Sequence, residues 1–115
     1  MSVSPGQYNI SLQRRSSFYL RLQFKGESDV PIDLTGWAVY VQAWDKKRTV
    51  KYVDFSVEYV DRVLGIINIR LTDEQTAALP CESFYDVMLD SGDGTKEYYL
   101  EGMIFASEGY TSPVM

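Results

Sequence analysis

The sequence predicts an all-β protein, an antiparallel β-sandwich, and three observations predict it. Apolar side chains recur at every second residue in segment after segment. Turn residues interrupt these segments about every 8–12 positions. Only one short stretch carries a helix start signal.

Tyr8, Ile10 and Leu12 alternate with Asn9, Ser11 and Gln13 until Arg14, Arg15 and Ser16 interrupt them. Phe18, Leu20, Leu22 and Phe24 then oppose Tyr19, Arg21, Gln23 and Lys25, four successive large apolar positions on one face of a strand. Gly26 to Leu34 reads as a connection, and Asp33-Leu34-Thr35-Gly36 as a turn feeding the next strand. From Trp37 to Trp44, Trp37, Val39, Val41 and Ala43 oppose Ala38, Tyr40, Gln42 and Trp44, so aromatics stand on both faces. Asp45 to Arg48 is a charged turn. Asp54 to Tyr59 reads as one strand with Phe55, Val57 and Tyr59 inward, and Asp61-Arg62 turns into Val63 to Leu71.

Thr72 can cap a helix while Gln75 reaches back to it, and Asp73 and Glu74 suit the positive end of the helix dipole. Pro80 stops this helix, so it spans at most two turns within Thr72 to Leu79. Phe84 to Asp90 and Lys96 to Ala106 flank Ser91-Gly92-Asp93-Gly94, a hairpin turn. About seven strands and one short helix match an immunoglobulin-like sandwich, without the Cys-Trp-Cys spacing of true immunoglobulins. The expected organisation is an N-terminal arm at residues 1–7, a sandwich domain at 8–106 and a C-terminal arm at 107–115, both arms flexible.

The 115 residues suit one core, and 45% hydrophobic with 23% charged residues is ordinary for a globular chain. A net charge of −5 argues against general nucleic-acid binding and against an anionic membrane surface. There is no histidine, which removes the commonest general base and most zinc and iron sites. The single Cys81 rules out an internal disulfide; with Glu82 beside it and no His to lower its pKa it is expected to be a structural thiol rather than a nucleophile. Ser2 to Gln7 begins no apolar run, so no secretory signal is expected, and no stretch is long enough to cross a bilayer. No enzyme activity, cofactor, metal or small-molecule substrate is expected.

Few constellations suggest chemistry. Asp90-Ser91-Gly92-Asp93-Gly94 superficially resembles a calcium loop, but Gly92 and Gly94 fall where acids are needed. Asp86, Asp90, Glu97 and Glu101 are expected to face solvent opposite Lys96 or Arg70, rather than to form a catalytic dyad. Arg14-Arg15-Ser16-Ser17 reads as a polar connection, and the Asn9-Ile10-Ser11 sequon lies in a strand. The aromatics carry more information. Tyr19, Tyr40 and Trp44 are out of phase with the core positions and should point outward, forming with Tyr85 and Tyr99 a candidate protein-contact patch. The plainer alternative is that these rings pair across strands. Trp37 and Trp44 fall on opposite faces of one strand, which disfavours the coplanar strip a carbohydrate-binding module needs.

Pro31-Ile32-Asp33-Leu34-Thr35-Gly36-Trp37-Ala38-Val39 enters a strand after the alternation of Phe18 to Phe24. Next come Gly65 to Thr72, Glu74 to Pro80, Phe84 to Val87, Asp93-Gly94 and Leu100 to Ile104. In order and spacing this resembles the small tailed-bacteriophage virion proteins that include the N-terminal domain of the upper-baseplate protein BppU, over roughly residues 8–106. The resemblance implies an immunoglobulin-like domain that attaches fibres or receptor-binding proteins to a tail baseplate. It implies partners that are other phage structural proteins in a symmetric multi-copy assembly, and no catalytic residues. The implied location is the virion, after synthesis in the host bacterial cytoplasm. BppU continues into a fibre-like region where this sequence stops at Met115, so a stand-alone adaptor or decorating subunit is expected. A capsid decoration protein is the alternative, and a carbohydrate-binding module a more distant one.

Overall fold

The computed structural model describes residues 6–109. These form strands β1 (Gly6–Gln7), β2 (Ile10–Gln13), β3 (Phe18–Gln23), β4 (Ala38–Trp44), β5 (Lys51–Asp54), β6 (Ser56–Asp61) and β7 (Ile66–Leu71). Helix α1 (Asp73–Ala77) follows, then β8 (Glu82–Asp90) and β9 (Lys96–Ser107). The larger sheet has the order β1-β9-β8-β4-β5, with β2 also on β9, and the smaller has the order β3-β7-β6. β3, β7 and β6 take the places of one immunoglobulin sheet; β4, β8 and β9 take those of the other, with β5 added at its edge. The fold is therefore an immunoglobulin-like β-sandwich.

The inward phase of each strand makes the core. Val41, Ile67, Ile69, Val87 and Ile104 are fully buried, and Phe24, Leu34 and Leu79 close it from the connections. Truncating one such side chain to alanine would cost about 2–5 kcal/mol, because the rigid surroundings leave a cavity.

The sequence suggested about seven strands, and the nine described arise at two places. The single strand expected over Asp54 to Tyr59 is two. β5 ends at Asp54 in the larger sheet and β6 begins at Ser56 in the smaller one. Phe55 crosses between them: its N–H donates to the Val41 carbonyl at 2.9 Å while its buried ring meets Phe18 and Tyr85. A crossover at an inward residue leaves the period of two unbroken, so alternation cannot reveal it.

The second place is the N-terminus. Gly6 and Gln7, assigned by sequence to an arm, pair in parallel with Leu100 and Glu101. The rest of that expected arm, residues 1–5, lies outside the described residues, as do 110–115 of the other. Ser107, placed in the C-terminal arm, is the last residue of β9.

Helix α1 shows the reciprocal cap read from sequence. The Thr72 hydroxyl accepts from the Gln75 N–H, and the Gln75 side chain accepts from the Thr72 N–H. Buried Thr76 donates to the Ser16 carbonyl at 2.7 Å, which ties the helix to the β2–β3 connection.

At the other end, Gly65 adopts φ +70°, and a Cβ there would come within 2.5 Å of the Ile32 carbonyl oxygen and 2.9 Å of the Phe24 oxygen. Only glycine lets the β6–β7 turn pack this closely. The Arg62 guanidinium in that turn stacks 3.8 Å over Tyr59 and donates to the Leu34 and Trp37 carbonyls. This fixes the entry of the chain into β4.

Candidate functional site

The two sheets present chemically opposite outer faces. On the smaller sheet, Arg21, Asn68 and Glu58 stand side by side in register. Arg21 Nε donates to Asn68 Oδ1 at 3.1 Å, and Asn68 Nδ2 donates to Glu58 Oε1 at 2.8 Å. Arg70 pairs with Glu58 at 3.3 Å and lies 5.3 Å over the Tyr19 ring. The hydrogen bond from Asn68, then the charge of Arg70, hold the Glu58 carboxyl below its usual range. The charged and amide groups of this row are thus paired with one another.

The outer face of the larger sheet is built from the alternate phase of β4, β8 and β9. Tyr40, Met88 and Tyr98 form one cross-strand row; Gln42, Asp86 and Glu101 the next; Trp44, Phe84 and Met103 the third. A carboxylate row thus lies between two rows of aromatic and thioether side chains. Tyr40 and Tyr98 are 48% and 47% exposed. The Trp44 indole donates to Gln42 Oε1 at 3.0 Å, which sets the ring's tilt.

The β4–β5 turn walls this face on one side. Asp45 accepts from Thr49 N–H and hydroxyl and from Val50 N–H; the Thr49 hydroxyl bond, then the Val50 bond, lower its pKa. The turn so held places Arg48, at φ 59°, 4.8 Å above the Trp44 ring. Together with Tyr40, Phe84, Asp86, Met88 and Tyr98 these residues enclose an open cleft of about 430 Å³.

Asp86 is half-buried in this cleft and, among the described residues, accepts no hydrogen bond and forms no ion pair. Burial, then the neighbouring Glu101 charge, raise its pKa, with Arg48 opposing. Glu101 receives a 3.1 Å hydrogen bond from Gln7. The sequence reading set Asp86 opposite Lys96 or Arg70. Lys96 faces Asp90 instead, and Arg70 belongs to the other sheet.

The five candidate contact residues do not form one patch. Tyr40 and Trp44 share the cleft. Tyr19, 52% exposed, lies on the outer face of the opposite sheet. Tyr85 is 3% exposed, and its hydroxyl donates to the Tyr8 carbonyl at 2.6 Å, so it is a core residue. Tyr99 also turns inward: its ring meets Phe24 edge-on at 4.6 Å, and its hydroxyl accepts from Lys25 N–H and donates to Lys25 carbonyl. The cause is an irregular register between Val87 and Met88, where Val87 pairs with Leu100 and Met88 with Tyr98. One extra residue on β9 flips the phase, putting Tyr98 outside and Tyr99 inside.

Phe84, Asp86, Met88, Tyr98 and Met103 were missed as site residues. The signal for the first three was present, since they alternate with the buried Ser83, Tyr85, Val87 and Leu89.

The other sequence features take local roles. Ser91 to Thr95 is a turn held by Gly92 N–H to Asp90 Oδ1 and Thr95 N–H to Asp93 Oδ1, with Gly92 and Gly94 at positive φ. Arg14 and Arg15 both pair with Glu108. Asn9 Oδ1 accepts from Met103 N–H. Cys81, expected as a structural thiol, is free and exposed.

No family model matches the chain, and no curated protein matches it. Among solved structures, it is similar to the N-terminal Ig1-2 module of the Drosophila receptor protein tyrosine phosphatase DLAR, at 15% identity and a TM-score of 0.47. That match covers 91% of this chain and 47% of the other, so the chain spans about half of that module.

Proposed function

We propose that the chain is a non-catalytic virion structural protein of a tailed bacteriophage, an adaptor in the tail or baseplate that attaches fibres or receptor-binding proteins. The observation that carries the docking role is the contrast between the two outer faces. One pairs its charged groups with each other through Asn68 and Arg70, whereas the other leaves Tyr40, Trp44, Met88 and Tyr98 around an Asp86 that has no hydrogen-bond or ion-pair partner among the described residues. Aromatic and Met side chains are enriched in protein interfaces and are uncommon as a cluster on a surface that meets only water. The phage setting rests on the ordered motifs from Pro31 to Ile104 described above. In this reading the larger sheet docks on a neighbouring subunit, and symmetry multiplies a modest contact into firm attachment.

The test is mass spectrometry of purified particles, with cryo-EM to locate the chain. The chain should be present at a fixed ratio to tail proteins and seated on the tail. Particles that lack it overturn the proposal, and density on the head would replace the adaptor role with capsid decoration.

A further inference from the structure

The geometry points to the chemistry of the partner: we infer that the cleft takes a cationic side chain, an arginine or lysine presented by a neighbouring protein, onto Asp86 beside the rings of Tyr40 and Tyr98. The inference rests on the docking role proposed above and names what is docked.

Asp86 and Glu101 are direct cross-strand neighbours, and like charges so placed repel. Gln7 hydrogen-bonds Glu101, but among the described residues Asp86 has no such partner, and burial together with Glu101 pushes its pKa up against the opposing charge of Arg48. The cations nearby leave the carboxylate unpaired. Arg48 lies over Trp44 and attracts Asp86 without forming an ion pair, Lys46 at the cleft wall forms none with it, and Lys96 stands opposite Asp90. A carboxylate that is partly desolvated and unpaired gains most from an incoming cation.

The flanking rings add to this preference. Tyr40 and Tyr98 stand in the adjacent row with their surfaces half open, and aromatic faces attract cations. Arg48 above Trp44 is the same contact already made once within the cleft. Phe84, Met88 and the rings can cover the aliphatic stem of an arginine or lysine. A chain of net charge −5 would also draw a basic partner from a distance. A neutral sugar could stack on the rings, but it would bury Asp86 further and leave its repulsion with Glu101 in place.

The probe is the acetylated and amidated tripeptide Gly-Arg-Gly, titrated into the full chain and followed by amide and indole NMR shifts. Gly-Lys-Gly, Gly-citrulline-Gly and methyl glucoside serve as comparisons. The expected result is millimolar binding of the two cationic peptides, with shifts at Gln42, Trp44, Asp86, Met88 and Tyr98 and none at Tyr19. The citrulline peptide should bind at least about fivefold more weakly, as should the arginine peptide to Asp86→Asn or Tyr98→Ser with the rest of the spectrum unchanged.

Absence of shifts at these residues overturns the inference, as does equal binding of citrulline or indifference to Asp86→Asn. Shifts produced by methyl glucoside alone would replace it with sugar recognition. Presence of the chain in particles is measured independently, so the adaptor role can stand while this inference fails, and the reverse.

Discussion

The Tyr85 hydroxyl donates a 2.6 Å hydrogen bond to the backbone carbonyl of Tyr8, joining the centre of β8 to the chain between β1 and β2. The bond crosses beneath β9, which separates the two in the sheet. Gly102 of β9 makes room for it, since a Cβ there would overlap the Tyr8 carbonyl and sit 2.7 Å from its carbon. The N-terminal strands are therefore locked onto β9 from both of its neighbours.

Tyr85→Phe should lower stability by about 1–2 kcal/mol, because the Tyr8 carbonyl loses its donor. Burial holds the Tyr85 phenol well above the ordinary tyrosine range, with Tyr8 adding to the shift. In the unfolded chain this phenol ionises at about pH 10 while in the folded one it does not, so its contribution to stability falls as pH rises past that value. Denaturant titrations should show a shallower alkaline loss for Tyr85→Phe than for the native protein.

Gly102→Ala should be more damaging, at least about 2 kcal/mol, because the clash is with backbone and cannot be relieved by a rotamer. Hydrogen exchange should rise first at Tyr8 and Met103, whose N–H groups bond across this contact to Glu101 O and Asn9 Oδ1. Unchanged protection at both amides would contradict the locked arrangement.

On the opposite face, Asn68 is buried and bridges Arg21 to Glu58. Asn68→Ala should cost about 1–3 kcal/mol, since removing the bridge leaves two charged groups short of a partner. The lowered Glu58 pKa means that its favourable contribution is present above the unfolded carboxyl value and is lost as pH falls through the folded one. The stability difference between Asn68→Ala and the native protein should therefore narrow in acid.

Asp86 has the opposite sign. Its folded pKa is raised, so it destabilises the fold when ionised, fully above the folded value and not at all below the unfolded one near 3.8. Asp86→Asn should stabilise the free protein at neutral pH by up to about 1 kcal/mol after solvent screening, and the gain should vanish on acidification. Thermal melts at both pH values check this. A loss of stability at neutral pH would mean that the carboxylate has a partner after all.

Much of the fold was legible because burial on one face imposes a period of two, and β3, β4 and β8 follow it strictly. The capping box at Thr72 and Gln75 was readable because its chemistry is entirely local. Two kinds of information were not local. The change of sheet at Phe55 keeps the alternation intact, so one strand and two look alike. The phase of β9 depends on an irregular register with β8, and that decides whether Tyr98 or Tyr99 reaches the surface.

The candidate site shows the same limit. Tyr40 and Trp44 were visible as off-phase aromatics, while grouping them with Tyr19, Tyr85 and Tyr99 needed knowledge of sheet membership and register. Asp86 could be placed on the outer face by counting, but its neighbours Tyr40, Tyr98 and Glu101 come from strands distant in sequence.

Hydroxyl-radical footprinting, comparing purified particles with the free protein, tests the central claim most directly. Tyr40, Trp44, Met88 and Tyr98 oxidise readily when exposed, and the account predicts that all four are protected in the particle while Tyr19 reacts as it does in the free chain. Equal oxidation of the four residues in both states, or protection confined to the Tyr19 face, would contradict it.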